Sequence, residues 1–299
     1  MNSRHDQPDH WTFLSSDLLT ASVDPLGAQL SSLRDGAGRD LLWNGDPAVW
    51  AGRAPLLFPI VGALAGGRYR LGATSYPLSR HGFARGKVFD LVESTAGEAL
   101  FRLKADETTR PVYPFHFELD VRFALRGATL SVTAAIRNQG EGDLYASIGF
   151  HPAFRWPLPF GAERAAHLVE FADDEPAPIR RLDSQGLLRA EGFATPVAAR
   201  RLVLDDALFK DDVIIFDDLR SRSITYGADT GSRIRVGYPD APYLGIWTKP
   251  GAKFICIEPW HGVADPAGFA GDFKVKPGVF RVAAGESMST RMDITLLEI

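Results

Sequence analysis

The sequence predicts an all-β fold with few and short helices, and three observations carry that prediction. Apolar residues alternate with polar ones in many short segments. The 29 glycines and 20 prolines cut the 299 residues into intervals that are mostly strand-sized. Long stretches with apolar residues at helical spacing are rare. Alternation with a period of two buries one face of a strand and wets the other. Many such strands separated by turn residues indicate an antiparallel sandwich or barrel.

Taken in order, alternating segments occur at residues 19–23, 69–71 and 101–103, then over 117–125 and 130–138. The last two are the most clearly marked, because Arg126-Gly127-Ala128-Thr129 between them reads as a hairpin turn. Residues 233–236 and 292–296 add two more strands near the C-terminus. Short helical turns are expected near residues 46–50 and 110–113. Residues 173–196, rich in Asp, Glu, Pro and Gly, read as a long excursion. No composition break or repeat divides the chain, so one domain over residues 1–299 is expected, with a loosely ordered N-terminal segment at 1–15.

Composition excludes several function classes. The net charge of −4 comes without a basic block, which argues against nucleic acid as a partner. Cys256 is the only cysteine, so neither an intramolecular disulfide nor a multi-cysteine metal site can form. The polar start MNSRHDQPDHW lacks the apolar core of a signal peptide, and no apolar run reaches the ~18 residues of a membrane helix. A soluble, cytoplasmic protein is expected.

Three segments break the pattern by setting ionisable residues among apolar ones: Leu78–Arg85 around His81, Ser147–Phe154 around His151, and Phe254–Gly262 around Glu258. Glu258 ends an apolar run, Phe254–Ile257, that reads as a strand buried on both faces. A carboxylate there loses hydration, so its pKa rises, which prepares it as a general base near neutral pH. A strand-end Glu paired with a surface Arg is the alternative. Pro152 ends or bends the strand that carries His151, and the aromatic neighbours Phe150 and Phe154 suggest a pocket wall. Gly82 allows close backbone approach beside His81, and Arg80 and Arg85 bracket it. Each histidine alone reads more often as a satisfied core residue than as a site residue. Together, one base, two imidazoles and several aromatics suit a site for a neutral polyol.

Rival chemistries lack their signatures. The histidines have no metal-ligand spacing such as HExxH, and no G-x-S-x-G elbow, Walker loop or strand-borne GxGxxG occurs. No metal is therefore expected.

These segments, in this order, resemble the aldose 1-epimerase (galactose mutarotase) family, most closely its LacX-like branch. The supporting residues are Arg53-Ala54-Pro55-Leu56-Leu57-Phe58-Pro59-Ile60-Val61-Gly62, then Arg80-His81-Gly82-Phe83-Ala84-Arg85. Gly149-Phe150-His151-Pro152-Ala153-Phe154 and Ile257-Glu258-Pro259-Trp260-His261-Gly262 follow. The resemblance runs from about Ala21 to the C-terminus and implies a β-supersandwich that interconverts sugar anomers. By the same resemblance, Glu258 is the base at the anomeric hydroxyl and His151 the acid at the ring oxygen. His81 matches a second histidine that holds and polarises the same region. No cofactor is implied, because only protons move.

Asp212 matches a carboxylate that contacts sugar hydroxyls, with Asp211 as its neighbouring rival and a charged turn before a strand as the alternative. Trp260, Phe83 and Phe154 are the aromatics offered for stacking on a sugar face, with plain core as the equal alternative. The family usually carries an arginine just after Val-Gly of the first motif, where this chain has Ala63. Arg53 and Arg85 are the substitutes considered for that sugar contact. The departure leaves the substrate open: a free sugar is the leading expectation. A hexose 6-phosphate held by Arg53, Arg80, Arg85 and Lys87, or a carbohydrate-binding protein without catalysis, are the alternatives.

Overall fold

The computed structural model describes residue 8 and residues 10–298. Among these residues there are 22 strands and five single-turn 3-10 helices, and no α-helix. All the alternating segments fall in strands. The hairpin is the longest of them: Phe117–Arg126 pairs with Thr129–Asn138 in continuous antiparallel register, with Arg126 opposite Thr129 across the Gly127-Ala128 turn. Gly127 adopts a φ of 52°, the left-handed conformation that glycine reaches without a Cβ clash.

Nine strands form the larger sheet, in the order Arg201–Val203, His167–Phe171, Ser223–Ala228, Arg233–Gly237, Ser287–Leu297, Thr129–Asn138, Phe117–Arg126, Glu98–Lys104 and Asp90–Ser94. A second sheet runs Ile214–Phe216, Tyr243–Trp247, Phe254–His261, Ile148–Phe150 and Leu56–Leu57, with Ala153–Arg155 also pairing with Phe254–His261. Val121, Val132 and Ile294 of the larger sheet share one buried cluster with Ile148, Ile246 and Ile257 of the smaller. Sheet thus packs on sheet, the arrangement expected of a β-supersandwich.

The strand Phe254–His261 explains why its apolar run shows no alternation. Ile255 and Ile257 point into the main core. Cys256 belongs to a second cluster with Trp43 and Phe254, and Trp260 to a third with Leu57, Val61 and Ile215. Both faces are covered, so both are apolar, and Glu258 sits on the face away from the main core.

One expectation is corrected, and the expected short helical turns are present. Residues 12–15 are not loose: Thr12–Ser15 is a strand antiparallel to Leu19–Asp24, with Leu14 buried and the Ser15 N–H donating to the Ala96 carbonyl at 2.7 Å. Residues 1–7 and 9 of that N-terminal segment lie outside the described residues. The helical turns near 46–50 and 110–113 are single hydrogen-bonded turns, such as Trp50 N–H to Asp46 O at 2.8 Å, and do not extend into helices. The 173–196 excursion contains no strand of its own but is tied down by bridges such as Ile179 to Phe193 and Leu182 to Leu188.

Candidate active site

A cleft of about 340 Å3 opens on the face of the smaller sheet turned from the main core, and His81, His151, Asp212, Glu258 and Trp260 all line it. They arrive from four segments, three of them on or beside that sheet and His81 from a turn outside it. Glu258 and Trp260 alternate on one strand, so both face the cleft. His151 follows Ile148–Phe150, where Pro152 interrupts the ladder. Asp212 precedes Ile214–Phe216.

The backbone is bent at two of these residues. His81 has a φ of 67° and Asp212 a φ of 65°, in the left-handed region that side chains with a Cβ rarely enter. His81 is held there by mutual contacts with Gly62. Its N–H donates to the Gly62 carbonyl at 2.9 Å, and its Nδ1 accepts the Gly62 N–H at 3.2 Å. Gly82 beside it has no room for a side chain, since a Cβ would stand 2.2 Å from the Phe58 carbonyl oxygen. Asp212 uses its own Oδ1 to accept the Val213 N–H at 2.9 Å, and Arg181 of the excursion donates to the Asp212 carbonyl. Such strain is retained where the surroundings enforce a side-chain position.

His151 and Glu258 touch: Nε2 lies 3.1 Å from Oε2, with both residues buried. Burial pushes the Glu258 pKa well above the usual carboxylate range, and the nearby Asp212 carboxylate adds to the rise. The Trp260 indole, whose Nε1 finds no hydrogen-bond partner of ordinary geometry, opposes it in part. Burial pushes His151 down to about 3. His81 is also held well below the ordinary histidine value, by burial first and then by the positive charge that His151, Arg85 and Arg80 can carry nearby. Because its Nδ1 accepts a backbone N–H, the neutral His81 carries its proton on Nε2.

Aromatic walls complete the cleft, and most were not legible in the sequence. Trp50 stacks on the His151 ring at 5.2 Å, and Trp247 meets the same ring edge-on at 6.0 Å. Trp260 lies across two glycines of the flanking strands. A Cβ on Gly245 would stand 2.4 Å from its Cη2, and one on Gly149 2.5 Å from its Cδ1. Leu182 of the excursion also lines the cleft.

The arginines separate. Arg85 and Arg80 line the cleft, and no ion pair joins either to a carboxylate among the described residues. Arg85 donates to the Arg80 carbonyl at 2.9 Å, and Arg80 reaches across to Gly186 of the excursion. Arg53 is a correction. Its guanidinium donates to the Ser31 carbonyl at 2.8 Å and covers the Trp11 ring, in a different hollow with Trp43 and Asp40. The strand Gln29–Asp35 captures that side chain before it can turn to the cleft. Lys87 is likewise absent from the cleft lining; its amine faces Asp106 and Thr108.

A buried ion pair supports the cleft from behind. Lys276 Nζ lies 3.4 Å from Asp265 Oδ1 and also donates to the Val263 carbonyl. Asp265 accepts the Ala65 N–H on Oδ2 at 2.9 Å, and its own N–H donates to the Ala63 carbonyl at 2.9 Å. These contacts clamp the segment that holds Gly62, the partner of His81, against Ala264, where a Cβ on Gly62 would stand 2.6 Å away. Ala63 therefore serves this clamp through its backbone.

No helix among the described residues is long and apolar enough to cross a membrane. The model of the family described as aldose 1-epimerase matches residues 9–275. The chromosomal and plasmid LacX proteins of Lactococcus lactis subsp. lactis are each 33% identical over 295 residues, covering 95% of this chain and 98% of theirs. Among solved structures, a galactose mutarotase related enzyme from Lactobacillus acidophilus superposes with a TM-score of 0.88 at 28% identity, covering 96% of this chain and 97% of that one. A galactose mutarotase-like protein from Lactobacillus casei gives 0.87 at 27% identity, covering 96% and 99%. The fold and the sequence agree, and the chain belongs to the aldose 1-epimerase family.

Proposed function

We propose that the chain catalyses anomer exchange of an aldose by proton transfer between Glu258, His151 and the sugar. The observation that carries this reading is the 3.1 Å contact of the His151 imidazole with the Glu258 carboxyl on the floor of the cleft. A carboxyl and an imidazole at that distance share one proton. Its two positions are a neutral acid beside a neutral imidazole, and a carboxylate beside an imidazolium.

The second arrangement holds both catalysts that ring opening needs. The Glu258 carboxylate takes the proton from the anomeric hydroxyl while the His151 imidazolium gives one to the ring oxygen. The C1–O5 bond breaks, C1=O forms, and the pair is left as neutral acid and neutral imidazole. The proton count of the pair is unchanged. Rotation about C1–C2 and the reverse transfers close the ring as the other anomer. Burial favours the neutral arrangement and so makes the imidazolium a strong acid toward a weakly basic ether oxygen.

The remaining residues position the sugar. His81 donates from Nε2, Asp212 accepts from hydroxyls, and Trp260 presents a flat face to the apolar side of the ring. Polarimetry or saturation-transfer NMR on freshly dissolved α-glucose and α-galactose tests the reading. Acceleration of anomer exchange is expected, and its absence with every sugar, including the phosphorylated one below, favours a binding protein instead.

Arg80 and Arg85 support a second reading, in which the sugar is anionic. Two cleft arginines without carboxylate partners supply positive charge that a phosphate or carboxylate would neutralise. Comparison of kcat/KM for glucose and glucose 6-phosphate decides it. A preference for the phosphate that Arg85→Ala and Arg80→Ala remove supports the anionic substrate; equal values with both arginines present argue for the free sugar.

A further inference from the structure

One buried group beside Glu258 has no part in the proton transfers. Cys256 lies two residues before Glu258 on the strand Phe254–His261, so strand alternation sends both side chains to the same face. Its cross-strand neighbours are Ala153 and Trp247, and it packs in a cluster with Trp43 and Phe254. The thiol, a ring nitrogen of His151 and a carboxyl oxygen of Glu258 all lie within 4.8 Å of one another, and all three residues are buried. His151 also has a ring nitrogen, Nδ1, with no hydrogen-bond partner.

We propose that His151, Cys256 and Glu258 form a three-ligand site for a thiophilic divalent cation, with Zn(II) as the type ion. Donors bound tetrahedrally at the usual zinc distances of about 2.0–2.3 Å stand roughly 3.3–3.7 Å apart. The His151–Glu258 pair, at 3.1 Å, is already close to that spacing. The thiol needs a side-chain adjustment of about 1 Å at most to complete the triangle. A thiolate, a carboxylate and a neutral imidazole around a dication sum to zero charge, which suits a buried site better than any one ionised group alone. Sulfur and imidazole donors select Zn(II), Co(II) or Cu over Mg(II) and Ca(II), which prefer oxygen. His151 and Glu258 line the cleft, from which water or a sugar hydroxyl would supply the fourth ligand.

The site recruits the two residues that the proposed reaction uses, so, if that reading holds, the bound metal is an inhibitor competitive with sugar. The sequence hides the site, because its donors come from distant segments with no motif spacing and only Cys256 and Glu258 are near neighbours in the chain.

The test starts from chelator-treated full-length protein and does not require turnover. Co(II) titration is expected to give one equivalent of binding, with the visible bands of tetrahedral cobalt and a thiolate charge-transfer band in the near ultraviolet. Zn(II) should displace it. Cys256→Ala should keep its fold by thermal unfolding and keep its anomer exchange, but lose the charge-transfer band and bind Zn(II) at least tenfold more weakly. His151→Ala should weaken binding similarly. Absence of the band in the parent, or binding of unchanged strength in Cys256→Ala, overturns the site. A cobalt signal without anomer exchange keeps the metal site and removes the epimerase reading. Exchange that is insensitive to Zn(II), with no cobalt signal, does the opposite.

Discussion

Nε2 of His151 lies 3.1 Å from Oε2 of Glu258, both groups are buried, and the proton between them can be on either. Glu258→Gln keeps the shape of that contact but cannot accept a proton. General acid–base catalysis typically contributes about 10²–10⁴ in rate, so turnover should fall by at least about a hundredfold while sugar binding persists. Polarimetry gives the first quantity and calorimetric or NMR titration the second. A variant that kept most of its rate would remove Glu258 from the role of base.

Trp260 spans Gly149 and Gly245, and Gly245 closely approaches its Cη2. Gly245→Ala places a methyl 2.4 Å from the ring and must push the indole into the cleft or strain the sheet. Overpacking of this kind costs roughly 1–3 kcal/mol. The expected result is a lower urea midpoint and a KM raised several-fold. Gly142→Ala, where a Cβ meets nothing within 4 Å, should change stability by no more than about 0.5 kcal/mol. Equal behaviour of the two variants would show that Trp260 has room to move.

The legible and illegible parts of this molecule divide on physical lines. Strands such as Phe117–Arg126 and Thr129–Asn138 announce themselves because one face is wet and the alternation survives in the sequence. Glu258 stands out for the opposite reason, as a charge in a run with no wet face. Whether a side chain turns to one side of a sheet or the other is not written locally, and Arg53 shows it. Its segment borders the cleft motif, yet its guanidinium is held by Ser31 and Trp11 elsewhere. Trp50 reaches His151 from a turn with no periodicity to read, and Gly149 and Gly245 gain meaning only from an indole that crosses from the strand between them. The Lys276–Asp265 clamp joins two residues that look like ordinary surface charges in the chain.

That clamp yields a prediction about both stability and geometry. Lys276 and Asp265 are buried, so removing one partner leaves an uncompensated charge, at a cost of about 3–5 kcal/mol. Lys276→Met should show this loss in urea unfolding. Lys276→Met combined with Asp265→Asn should recover part of it, since no bare charge remains. Because the Asp265 carboxylate also accepts the Ala65 N–H, and Lys276 also donates to the Val263 carbonyl, the double variant should still have a lowered kcat through a displaced Gly62–His81 contact. A double variant as active as the parent would separate the clamp from His81.

His167 gives the pH dependence of stability its clearest local source. Its Nδ1–H donates to the Glu163 carbonyl at 3.0 Å, and its Nε2 accepts the Leu158 N–H at 3.0 Å, so the folded protein holds the ring neutral. Burial lowers its pKa, with the Glu163 carbonyl opposing, and the unfolded chain should titrate near the ordinary value of about 6.5. Below that value the unfolded state binds a proton that the folded state refuses. Stability is therefore fully present above about pH 6.5 and is lost as pH falls toward the folded pKa. A single histidine contributes at most one proton, or about 1.4 kcal/mol per pH unit. Urea unfolding between about pH 7.5 and 5 should show stability falling on the acid side, more steeply in the parent than in His167→Gln. Parallel slopes in the two proteins would mean that His167 takes up its proton equally well folded and unfolded, which its two backbone hydrogen bonds forbid.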